Sequence, residues 1–227
     1  MGAAASSDRS ELLRKAEKYQ GQRRLRKAIR EYEKILSRDP SDIEVHTRIA
    51  PLYIKAGCKE PAKASLRQII ARYEVQGFVE KAIAMLRLSL TVDRRDLAAL
   101  LHLADLYLGK SHTGDALKLL EGSRRTFRGK RFLKEAIAVE EKILSLAPDD
   151  FRAQASLVRL FWKDGKRREA VERLRRMEWR WAARRNHECW RETRRLLWRY
   201  APSLSTGWGC FISLFTSPAP YRHGKGW

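Results

Sequence analysis

Between residues 9 and about 178, apolar and small side chains recur with a helical spacing. Ile49, Ala50 and Tyr53 fall at i, i+1 and i+4, one face of a 3.6-residue turn. Ala62, Leu66, Ile69 and Ile70 then fall at i, i+4, i+7 and i+8. Gly57 lies between the two stripes, where a helix C-terminus takes a positive φ. This pattern predicts two helices joined by a tight turn. No stretch alternates apolar and polar residues with β-branched enrichment, so no strand is predicted.

The pattern repeats. Ala28-Ile29, Ala82-Ile83 and Ala136-Ile137 are spaced by 54 residues. So are Ile49-Ala50-Pro51-Leu52-Tyr53, Leu103-Ala104-Asp105-Leu106-Tyr107 and Leu157-Val158-Arg159-Leu160-Phe161, and so are Asp39-Pro40, Asp93-Arg94 and Ala147-Pro148. Within this period Ala28, Ala62, Ala82, Ala116, Ala136 and Ala170 alternate spacings of 34 and 20. A two-helix unit is too small to bury its own apolar face, so neighbours must stack. The period predicts three helices per block and nine or ten in all, each antiparallel to its predecessor, with helices near 43–57, 97–109 and 151–164. Pro51 removes a backbone hydrogen bond in the first of these and predicts a kink there.

These residues resemble the tetratricopeptide repeat family, whose unit is a 34-residue helix-turn-helix. The match is carried by Leu12-x-x-Lys15-Ala16-x-x-Tyr19 with Ala28, Tyr32 and Pro40, and by Ile49-Ala50-x-x-Tyr53 with Ala62. It recurs in Leu103-Ala104-x-x-Tyr107 with Ala116, and in Leu157-Val158-x-x-Phe161 with Ala170. The chain departs from the family where an aromatic often opens the motif, having Leu12, His46, Leu100 and Gln154, and where a glycine is usual, having Ala16, Ala50, Ala104 and Val158. The resemblance implies an all-α fold, a right-handed α-solenoid of antiparallel helical hairpins whose first helices line a peptide-accepting groove. The expected organisation is a flexible N-terminus (1–8), a repeat domain (9–178), a basic, Trp-rich capping helix (179–200) and a disordered tail (201–227). Family members that clamp a peptide carboxylate use a Lys, Arg and Asn cluster. Here the Asn places hold Glu17, Pro51, Asp105 and Arg159, so that clamp is missing.

Composition narrows the function. The 227 residues carry a formal charge of +21, with 33% charged and 44% hydrophobic residues, too apolar for a wholly disordered chain. No run of about 18 apolar residues predicts a membrane span. Three dispersed cysteines (Cys58, Cys189, Cys210) fit a reducing compartment, and a cytoplasmic location is expected. The five histidines lack metal-ligand spacing, and no phosphate loop, serine elbow or kinase signature occurs. The expectation is a non-catalytic protein–protein interaction scaffold with no cofactor, no metal and no small-molecule substrate.

Side chains opposite the core stripe are the candidate partner contacts. They are Arg48 and Lys55 on the first groove helix, His102 and Asp105 on the second, and Arg152, Arg159, Trp162 and Lys163 on the third. Arg152, Arg159 and Lys163 are expected to surround Trp162 and to suit an acidic partner segment with an apolar or aromatic anchor. The alternative lies in the C-terminal part. From Lys166 onward there are 15 Lys or Arg against five Glu, and six of the seven tryptophans fall in the last 49 residues. One more helix is predicted there, with Cys189, Thr193, Leu196, Leu197 and Tyr200 on one face and Pro202 ending it. Arg180, Arg184, Arg185, Trp190, Arg194, Arg195 and Trp198 would then bind RNA, by phosphate neutralisation and base stacking, or an anionic membrane surface.

Overall fold

The computed structural model describes residues 2–202, with side chains from Asp8 onward. The expected disordered tail lies outside the described residues apart from its first two positions. Among the described residues there are eleven α-helices, one 3-10 turn (Lys130–Phe132) and no strand. In order they are α1 (Gly2–Gly21), α2 (Leu25–Leu36), α3 (Ile43–Lys55), α4 (Lys59–Val75), α5 (Val79–Val92) and α6 (Leu97–Gly109). Then follow α7 (Thr113–Ser123), α8 (Leu133–Leu146), α9 (Phe151–Lys163), α10 (Arg167–Ala183) and α11 (His187–Tyr200).

The 54-residue period holds in the helices themselves. Ile43, Leu97 and Phe151 open α3, α6 and α9, while Leu25, Val79, Leu133 and His187 open α2, α5, α8 and α11. Lys59, Thr113 and Arg167 open α4, α7 and α10. Nine helices make three blocks, and α1 and α2 precede them, so the total exceeds the expected nine or ten. The first helix reaches back to Gly2, across residues expected to be flexible; Ala3, Ala4 and Ala5 are strong helix formers. Helix α3 runs from Ile43 to Lys55 across Pro51 without a break. Residues 179–200 are not one capping helix: 179–183 complete α10, and Trp181 packs edge-on against Phe151 at 6.2 Å.

The chain divides into two compact units, Met1–Ala116 and Leu117–Trp227. The boundary falls in α7, which has 11 residues where its counterparts α4 and α10 have 17. In the first unit α2 packs on α1, α4 on α3 and α5 on α4; in the second α9 packs on α8, α10 on α9 and α11 on α10. Each unit is a stack of helical hairpins with its own core. Ala16, Ala28, Tyr32, Ile49 and Leu52 fill the first, and Leu157, Val158, Leu174, Trp181 and Leu197 the second.

Short turns are fixed by devices that share the period. Asp42, Asp96 and Asp150 cap α3, α6 and α9, each accepting a hydrogen bond from the backbone N–H three residues on, at 3.1 Å. The turn after α3 places Gly57 at φ 74°, and the same register holds Ser111 at 62° and Gly165 at 84°. The turn after α4 places Gly77 at 74°, and its register holds Arg23 at 57° and Arg185 at 55°. Glycine enters the left-handed region without penalty, whereas an L-residue with a side chain meets its own carbonyl there.

One register changes chemistry from block to block. Ala16 and Tyr32 occupy it on α1 and α2, and Ile70 and Leu86 on α4 and α5, all buried. Next come Arg124, just past α7, and Glu140 on α8, hydrogen bonded from Arg124 Nη2 to Glu140 Oε2 at 2.8 Å. Then Glu178 on α10 and Arg194 on α11 meet at 2.6 Å, with the charges exchanged. Burial pulls the Arg124 guanidinium pKa down, but the carboxylates of Glu140, Asp150 and Glu121 outweigh it, and the net shift is upward.

Two stability predictions follow from the shared registers. Replacing Ser111 with Gly should raise the urea unfolding free energy by about 0.5–1 kcal/mol, the left-handed strain less the entropy of the added glycine; an unchanged or lowered midpoint contradicts this. Glu140→Arg should cost about 3 kcal/mol or more by leaving two buried guanidinium groups facing each other. Adding Arg124→Glu should recover part of that loss in the same denaturation experiment, because α10 and α11 already use the reversed pair, and the remainder reflects the new glutamate facing Asp150 and Glu121.

Candidate functional site

Several charged side chains of the first unit, Arg9 and Lys63 among them, face an opposite charge. Arg48 pairs with Glu17 and, at 2.7 Å, with Glu44. Nε2 of His102 lies 2.5 Å from Oε1 of Glu74 on α4. Asp105 is exposed and engaged, and Lys55 is exposed on α3. Arg48 and Lys55 line an open hollow of 710 Å³ with Glu17, Gln20, Tyr32 and Thr47, in which Glu17 offsets the positive charge. His102 and Asp105 are not part of its lining.

The second unit differs. Between the stretch 124–130, α8 and α9 lies a pocket of 480 Å³. Its apolar floor is made by Phe127, Leu133, Ala136, Val139 and Leu160, and Arg124, Arg128, Lys130, Arg152, Arg159 and Lys163 supply six cations. The one carboxylate in the lining, Glu140, is buried and engaged by Arg124, which also lies 3.6 Å from Asp150. Arg128, Lys130, Arg152, Arg159 and Lys163 are all exposed and have no carboxylate partner among the described residues.

Local sequence explains this shape. Helix α7 stops at Ser123 where α4 and α10 continue, and Gly129 sits at φ 107°, a conformation that favours glycine. The chain therefore runs irregularly from Arg124 to Gly129 and carries Arg128 and Lys130 over α8. Arg152, Ser156, Arg159 and Lys163 are spaced by four, three and four on α9, so one helix face delivers all of them to the pocket.

Three of the four predicted residues on α9 thus meet in one site. Trp162 does not join them. It faces Tyr200 of α11 with ring centres 4.8 Å apart, under the guanidinium of Arg167 at 5.3 Å. Trp162 was expected among these cations; the apolar residues that line the pocket with them include Phe127 and Leu133. Sequence reasoning also missed Arg124, Arg128, Lys130 and Glu140. The available signal was Glu140 itself, a charge at the register of Tyr32 and Leu86.

The alternative set on the last two helices is largely engaged within the fold. Trp190 is buried, Arg194 meets Glu178, and Arg195 meets Glu192. Arg184 pairs with Asp149 at 2.5 Å, and Arg180 donates to the Pro148 carbonyl at 3.1 Å. Arg185 holds the strained turn, and Trp198 is 57% exposed. Among the described residues no His, Cys, Asp and Glu cluster could hold a metal ion, and no helix is long and apolar enough to cross a membrane.

No protein-family model and no curated protein matches the sequence. Among solved structures, MamA is similar at 18% identity, with a TM-score of 0.28 over 88% of this chain and 98% of its own. A tetratricopeptide repeat protein of Thermus thermophilus shows 18% identity and a TM-score of 0.28 over 92% of this chain and all of its own. YrrB, a tetratricopeptide repeat protein with an unusual peptide-binding site, shows 14% identity and a TM-score of 0.26 over 72% of this chain and 81% of its own. The assignment rests on the chain's own registers, in which helical hairpins bury Ile49-Ala50-Tyr53 with Ala62 and Leu157-Val158-Phe161 with Ala170. The chain is an all-α protein of repeated helical hairpins, and its hairpins resemble tetratricopeptide units.

Proposed function

We propose that the chain is a non-catalytic protein-interaction scaffold, and that the pocket of its second unit holds an acidic partner segment with one apolar anchor. The observation that carries this reading is a rim of five cations without carboxylate partners around an apolar floor. Exposed charge pairs are worth only about 0.2–1 kcal/mol each and weaken with salt, so the rim supplies orientation, on-rate and selectivity. Burying one leucine- or phenylalanine-sized side chain on the floor supplies about 1.5–3 kcal/mol. The partner this pocket suits therefore has carboxylates on both sides of a single large apolar residue. RNA is less well matched, because the floor offers aliphatic groups and one buried ring instead of open stacking faces.

The test is a fluorescence-anisotropy titration with a labelled peptide carrying glutamates on both sides of one leucine. Arg159→Glu combined with Lys163→Glu should weaken binding at least about tenfold, while Lys55→Glu on the first unit leaves it unchanged. Replacing the leucine by serine should weaken binding by a similar factor. Equal affinity of the double variant and the parent protein would refute the assignment.

A further inference from the structure

Helix α11 ends the described stack with a face that its counterparts bury. In α2, α5 and α8 the matching positions are Ile29, Ile83 and Ile137, and then Leu36, Leu90 and Leu144, all buried or half-buried. Ile29 belongs to, and Leu36 packs against, the cluster holding Ile49, Leu52 and Tyr53 of α3, and Ile137 and Leu144 pack against the cluster holding Leu157, Val158 and Phe161 of α9. In α11 these two registers are Arg191 and Trp198, both exposed, and the tryptophan has 57% of its surface open. A large aromatic ring thus stands more than half exposed at a register that the other helices bury or half-bury.

The sequence beyond Pro202 names an occupant. Helices α3, α6 and α9 carry Ile49-Ala50-x-Leu52-Tyr53, Leu103-Ala104-x-Leu106-Tyr107 and Leu157-Val158-x-Leu160-Phe161 at intervals of 54. The next interval reads Phe211-Ile212-x-Leu214-Phe215, outside the described residues. The connection has the right length: α8 ends at Leu146 and α9 begins at Phe151, and the same steps lead from Tyr200, the end of α11, to position 205. Segment 205–217 holds no charged residue, so nothing in its sequence would repel Arg191, whose aliphatic stem can cover apolar surface.

We propose that the open face of α11 is a docking site for the chain's own segment 205–217, with Phe211 and Phe215 seated on Trp198. This inference does not depend on the pocket of the second unit. It gives the Trp-rich C-terminal sequence an intramolecular role: covering the last packing register of the repeat.

Hydrogen exchange with mass spectrometry on the full chain tests it. Amides of 208–217 should exchange at least about tenfold more slowly than in a free peptide of the same sequence, at any protein concentration. Phe211→Ser with Phe215→Ser, and separately Trp198→Ala, should each return them to the free-peptide rate. Both should speed exchange at the end of α11 and leave peptides from α3 and α9 unchanged, which separates lost docking from lost folding. Free-peptide rates in the unmodified chain would overturn the proposal. So would protection that rises with protein concentration (a second copy), or protection seen only with phosphatidylserine vesicles or with oligouridylate.

Discussion

A helix in this chain buries its apolar stripe only where the next helix lies on it, and that dependence sets the rest of the structure. Ala28, Ala62, Ala82, Ala116 and Ala170 are fully buried, and their small size lets backbones approach while Tyr32, Leu66, Leu86, Leu120 and Leu174 fill the space one turn on. The pairing repeats every 54 residues, so each position inherits a defined neighbour from its place in the period. The Arg124–Glu140 and Glu178–Arg194 pairs illustrate the constraint. Both members of a register are apolar or both are charged, and when the sign changes on one helix it changes on its neighbour. A single buried charge in either place would leave an uncompensated ion.

Much of this was legible in the sequence because periodicity is a property of side-chain types alone. The helices near 43–57, 97–109 and 151–164 and the last one before Pro202 lie where the stripes of Ile49, Leu103, Leu157 and Leu197 place them. Less legible were features that depend on a break in the pattern. The period alone does not show that α7 ends at Ser123, six residues short of its counterparts, or that the unit boundary falls within it. Arg124 sits at the register of Ile70, and only its pairing with Glu140 in space explains why a charge stands where the core should be. Trp162 shares a helix with Arg159 and Lys163 but turns toward Tyr200, because the aromatic ring of α11 offers a better contact than open solvent.

Arg48, Lys63 and Arg67 in the first unit all meet carboxylates, as do Arg184, Arg194 and Arg195 at the end of the second. Such pairs add little stability, yet they neutralise the local field that would otherwise draw an anionic partner. The cations around the pocket of α8 and α9 keep that field, over a floor able to take an apolar side chain. The basicity of the chain is thus divided between cations paired within the fold and exposed ones, five of which line the pocket of the second unit.

The central claim is that this pocket is the recognition surface. A backbone and side-chain NMR titration of the full chain with the acidic, leucine-bearing peptide tests it most directly. The account predicts shifts concentrated at Phe127, Leu133, Arg152, Arg159 and Lys163, with α3 and α11 silent. Shifts centred on the arginines of α10 and α11, or none at saturating peptide, would contradict it.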